Sequence, residues 1–115
     1  MKPFQFKVSI YNRWISVLVM PTYSEIEAFF KKHFKDFIPD PNLVGFGHTF
    51  IGPKYEIVIV FNRPTPDIIC HESFHAAQAV FQSVGINSIT MAEAEEQFAY
   101  LQQFIFDKIF KVVNK

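Results

Sequence analysis

Two histidines and a glutamate in the order His71, Glu72, His75 carry the clearest chemistry in this 115-residue chain. They lie within DIICHESFHAAQAVFQSV, residues 67–84, a stretch with helical periodicity. Positions i and i+4 of a helix share one face about a turn apart, so the imidazoles of His71 and His75 can converge on a single Zn²⁺. Glu72 sits beside them and is not expected to be a ligand. A carboxylate there can take a proton from a zinc-bound water, which is the role of the base in the H-E-x-x-H array of metalloproteases. The plainer reading is a polar helix face. With four His and seven Glu in the chain, shuffling would produce the array roughly once in a hundred sequences.

A catalytic zinc site usually has three protein ligands and one open position, so the histidine pair is incomplete. A second helix expected from about residue 91 to 113 offers Glu93, Glu95 and Glu96. Thr90 and Glu93 match a capping box, which gives Glu93 a structural role. Glu96 shares a stripe with Tyr100, Gln103 and Asp107, whereas Glu95 points about 100° away. Glu96 is therefore the favoured third ligand and Glu93 the second choice. Tyr100, one turn beyond Glu96, could orient a ligand or donate to a developing oxyanion, or be an ordinary amphipathic aromatic.

The motif helix needs a start, a stop and a support. Thr65 with Pro66 reads as N-cap and first helical residue, and Gly85 as the stop. On a helical wheel Gln78, His71, Gln82, His75 and Glu72 form a polar stripe, while Ile69, Cys70, Phe74, Ala76, Ala77, Val80, Phe81 and Val84 form the apolar remainder. Upstream, Phe4, Phe6, Val8 and Ile10 alternate with polar residues as a half-buried strand does. Trp14 to Met20 reads as a second strand, hairpinned to the first. Thr22 to Glu25 and Ser24 to Glu27 both fit capping boxes, opening a helix that buries Ile26, Phe29, Phe30, Phe34 and Phe37 until Pro39 and Pro41 end it. Residues 43–51 and 55–61 read as strands around Gly52, the second as a central strand. His48 alternates in phase with Val44, Phe46 and Phe50, which favours a sheet-face histidine over a ligand. The fold class expected is α+β, a single domain over 1–115 with a small, mostly antiparallel sheet packed on the H-E-x-x-H helix and a following glutamate helix.

Composition narrows the partners. Formal net charge is zero, so there is no basic footprint for nucleic acid. Lys31, Lys32, His33 and Lys35 read as a solvated helix face. No apolar run approaches the length of a membrane span. Lys2, Lys7 and Arg13 before WISVLVM faintly suggest a signal peptide, but no small-residue cleavage site follows, so the segment reads as mature structure. The one cysteine, Cys70, makes no intrachain disulfide and reads as a small core residue. Aromatics at 17%, with 15 Phe, leave room for apolar surface turned to a protein partner or a second copy.

HESFHAAQAVFQSVGI, followed by EQFAYL and a further apolar run, resembles small phage and prophage-encoded zincin-like proteins of the gluzincin type. The resemblance covers residues 55 to about 106 and rests on His71, Glu72, His75, Gly85, Glu96, Ala99 and Tyr100. It implies a minimal zincin-like domain, Zn²⁺ as cofactor with Glu96 as third ligand, a peptide or protein substrate and a phage-derived, cytoplasmic setting in a bacterial host. The function expected is zinc-dependent peptide-bond hydrolysis. The alternative is a non-catalytic accessory or interaction protein that keeps the fold and the zinc.

Overall fold

A computed structural model describes residues 2–86 and 94–114. Among them are four strands, β1 (Phe4–Val8), β2 (Arg13–Val19), β3 (Gly47–Ile51) and β4 (Ile57–Phe61), and three α-helices, α1 (Tyr23–His33), α2 (Pro66–Ser83) and α3 (Glu95–Val113). The strands form one mixed sheet in the order β1-β2-β4-β3. The class is α+β, as expected.

The sheet is mostly antiparallel, as expected, with one parallel pair at its centre. β1–β2 and β3–β4 are antiparallel, but the middle pair β2–β4 is parallel, with Ile15 opposite Ile57 and Val19 opposite Phe61. The crossover through α1 sends the chain to the far edge as β3, and the β3–β4 turn brings it back beside β2 in the same direction. Both faces of the central strands are therefore covered. Ile15, Val17, Val19, Ile57, Ile59 and Phe61 pack with α2 and α3, while Leu18, Val58 and Val60 pack with α1. IVIVF is buried at every position, which a strand covered on both sides requires.

Local chemistry explains the elements and their limits. Thr22, not Ser24, builds the capping box of α1: its Oγ1 accepts from the Glu25 N–H at 3.1 Å and the Glu25 carboxylate accepts from the Thr22 N–H at 2.9 Å. These bonds hold the Glu25 carboxyl below its usual range. The helix stops at His33, well before the prolines, because Phe34 turns to extended backbone. Phe34 and Phe37 then fold back onto Phe30, with ring centroids 5.7 and 4.8 Å away. The first strand likewise ends sooner than its alternation suggested. Ser9–Tyr11 forms a 3₁₀ turn closed by Asn12 at φ 54, which leaves Ile10 85% exposed.

The strand expected over 43–51 begins at Gly47, since Pro41–Leu43 is a 3₁₀ turn. Helix α2 starts at Pro66 as expected, but the Thr65 hydroxyl donates to Asp67 Oδ1 at 2.5 Å and does not cap the backbone. That bond is the main reason the Asp67 carboxyl sits below its usual range. At the other end Gly85, φ 86, permits a Schellman closure: the Gly85 N–H donates to Gln82 O and the Ile86 N–H to Phe81 O. Cys70 is exposed, contrary to the core role expected of it, and Gln102 Nε2 on α3 approaches its sulfur at 3.8 Å. No helix among the described residues is long and apolar enough to cross a membrane.

Candidate metal centre and its carboxylate

Helix α2 is held on two sides. Ile69, Ala76 and Val80 belong to the core shared with the sheet, and Phe74 and Phe81 meet Phe98 of α3 edge to face, at 5.3 and 5.4 Å between ring centroids. His71 and His75 occupy the stripe that remains. His71 is exposed and His75 half-buried, and their Nε2 atoms lie 3.2 Å apart.

That distance suits a shared metal. Two nitrogens each about 2.0–2.1 Å from a tetrahedral zinc stand about 3.3–3.4 Å from one another, so the pair is already spaced as two of its ligands. Without a metal, one N–H and one bare nitrogen satisfy the same contact.

Glu72 lies beside the pair but is buried, 5% exposed, and not on the open polar stripe as the wheel placed it. Its Oε1 accepts from the hydroxyl of Thr49 on β3 at 2.8 Å, and its Oε2 is 3.9 Å from His71 Nε2. The Thr49 hydroxyl also lies 3.2 Å from the backbone carbonyl of Glu72. The approach of β3 to α2 depends on Gly47, where an added Cβ would fall 2.8 Å from Ile68 Cγ2 and 3.4 Å from Glu72 Cγ. Sequence reasoning passed over both residues. The available signal was strand alternation: Thr49 and Gly47 are out of phase with His48 and Phe50, so they share the opposite sheet face. His48 packs against Phe50 at 4.5 Å between ring centroids, and Phe50 belongs to the core beneath α1. The sheet-face assignment of His48 is thus the one observed, on the side away from the histidine pair.

The structure brings together His71, Glu72 and His75, and does not bring Glu96 or Tyr100 to them. Among the described residues no set of three or more His, Cys, Asp and Glu side chains is placed to hold a metal ion. Phe98, Leu101, Ile105 and Ile109 form the buried stripe of α3, whereas Glu96, Tyr100, Gln103 and Asp107 are all exposed. Glu95 is exposed as well, but it stands three residues before Phe98 and seven before Gln102. It therefore shares the side of α3 that meets α2 through the Phe74–Phe98 and Cys70–Gln102 contacts. Tyr100 lines a groove of about 470 Å³ with Val8–Tyr11, Gln97, Leu101 and Phe104. Glu93 and its capping box with Thr90 lie outside the described residues.

Mixed-sheet α+β architecture with a paired-histidine helix is the class that these elements define. Comparison with protein-family models, with curated proteins and with solved structures returns no match.

Proposed function

We propose that the chain is a zinc-dependent hydrolase of the minimal zincin-like type, cleaving a peptide bond. The observation that carries this reading is the 3.2 Å separation of His71 Nε2 and His75 Nε2 beside a buried carboxylate whose Oε2 is turned to His71. His71 and His75 would hold the ion. When bound, it would polarise the scissile carbonyl and lower the pKa of a water molecule. Glu72 would take the proton of the attacking water on Oε2 and deliver it to the leaving amine. The edge strand β3 pairs only with β4 among the described strands, which leaves its outer backbone groups to align an extended peptide by strand addition.

Three carboxylates compete for the third ligand position. The resemblance to the gluzincin pattern names Glu96, the spacing keeps Glu93 as the second choice, and the helix face adds Glu95. The phage-derived, cytoplasmic setting rests on the resemblance alone.

Glu72→Gln preserves shape and removes the base, so it should retain zinc and fold while hydrolysis of a broad peptide library falls at least about a hundredfold. Wild type, variant and a chelated sample are compared side by side. Activity that survives the substitution would refute the mechanism.

A second reading, a non-catalytic interaction protein that keeps the zinc, is favoured by a different observation. Ile10 and Tyr100, 85% and 66% exposed, line the apolar groove between the 3₁₀ turn at Ser9–Tyr11 and α3. A zinc-loaded wild type that cleaves nothing in the library would support it.

A further inference from the structure

We propose that Thr49 is a positioning residue for Glu72, fixing the orientation of its carboxylate so that one oxygen faces the histidine pair. For its catalytic meaning this rests on the hydrolase reading; for its geometry it does not.

The terminal torsion of a glutamate is broad and roughly two-fold, so helix geometry alone does not decide where its two oxygens point. In this fold the decision comes from the neighbouring strand. Thr49 is buried on β3, and its hydroxyl reaches Glu72 Oε1 at 2.8 Å. The same hydroxyl is 3.2 Å from the Glu72 backbone carbonyl. A hydroxyl carries one proton, and the shorter contact, to a carboxylate, is the stronger of the two. With Oε1 tied to the strand, Oε2 is left facing His71 Nε2, 3.9 Å away. It is the oxygen placed to exchange a proton in the site.

The clamp works only if β3 lies close against α2. Gly47, two residues before Thr49 on the same face, permits this: an added Cβ would press on Ile68 Cγ2 at 2.8 Å and touch Glu72 Cγ at 3.4 Å. The absent side chain at 47 and the hydroxyl at 49 are thus two parts of one device. One lets the strand approach, and the other uses the approach to orient the carboxylate.

Thr49→Val keeps the shape and the strand preference but removes the hydroxyl, and Thr49→Ser keeps the hydroxyl. The test compares crystal structures of wild type and both variants, at a resolution that separates the carboxylate oxygens. Zinc content and peptide hydrolysis are measured on the same preparations. In Thr49→Val the Glu72 carboxylate should rotate or split between orientations while zinc content holds. Its kcat should fall on the order of tenfold with KM little changed, and Thr49→Ser should restore both orientation and kcat. A Glu72 carboxylate that keeps one unchanged orientation in Thr49→Val would overturn the proposal. A wild type that hydrolyses nothing, with the carboxylate displaced in Thr49→Val, would count against the hydrolase reading and for the clamp. Should Thr49→Val fail to fold, Thr49→Val/Glu72→Met replaces both polar partners. Recovery of folding in the double variant would support the pairing, because only the stranded carboxylate had been at fault. Failure of the double variant as well would overturn it.

Discussion

Gly47→Ala tests the packing that brings strand β3 to the motif helix. The added Cβ would lie 2.8 Å from Ile68 Cγ2, 3.3 Å from Phe61 Cδ1 and 3.4 Å from Glu72 Cγ. Carbon atoms in contact prefer about 3.5–4.0 Å, so roughly 1 Å of overlap with Ile68 has to be relieved. Phe61 is fully buried and cannot give way; Ile68 must leave its rotamer or β3 must withdraw. Overpacking of this kind costs about 1–3 kcal/mol. At about 2 kcal/mol the midpoint of thermal unfolding should drop by roughly 8 °C in a domain of this size. The assay is a double-mutant cycle in denaturant with Ile68→Ala, which removes the atom in closest contact. Gly47→Ala should cost less than half as much in that background, leaving a coupling of about 1 kcal/mol or more. Equal costs in the two backgrounds, or a neutral Gly47→Ala, would refute the close approach.

Other consequences can be checked more briefly. Thr22→Ala should destabilise the fold by about 1 kcal/mol in denaturant melts at neutral pH. Because the folded Glu25 carboxyl titrates below its usual range, its contribution is present above the unfolded-state value and lost as pH falls through the folded one, so the penalty should shrink in acid. Glu93→Ala, Glu95→Ala and Glu96→Ala separate the candidates for the third ligand: the true ligand should lose zinc affinity on substitution and the others should not. If none loses affinity, the ligand lies outside this segment. Glu72→Gln should spare zinc and lower hydrolysis at least about a hundredfold.

How much of the site could be read from the chain depends on which interactions are local. His71, Glu72 and His75 were legible because one turn of helix fixes their relation, and Thr65, Pro66 and Gly85 mark the ends of that helix. The capping box at Thr22 and the burial of β4 were legible for similar reasons. The α3 carboxylates were not. A helical wheel shows that Glu96 and Tyr100 share a stripe, but which stripe faces α2 depends on Phe98 meeting Phe74 and Phe81 across the tertiary interface. Strand alternation carried Ile10 into β1 because periodicity does not register a 3₁₀ turn. The sequence points to a later end for α1, at the prolines, because Phe34 and Phe37 continue its apolar pattern. They pack on the same core from a non-helical segment. Thr49 meets Glu72 across 23 positions of sequence, a pairing that only the fold reveals.

The central claim is that His71 and His75 bind one metal ion together, and the most direct measurement is zinc stoichiometry by elemental analysis of wild type, His71→Ala and His75→Ala after equal exposure to zinc and exhaustive desalting. Wild type should retain about one zinc per chain and each variant close to none, because a tetrahedral site cannot keep its affinity after losing one of so few protein ligands. Zinc retained equally by all three proteins, or absent from wild type, would contradict the account.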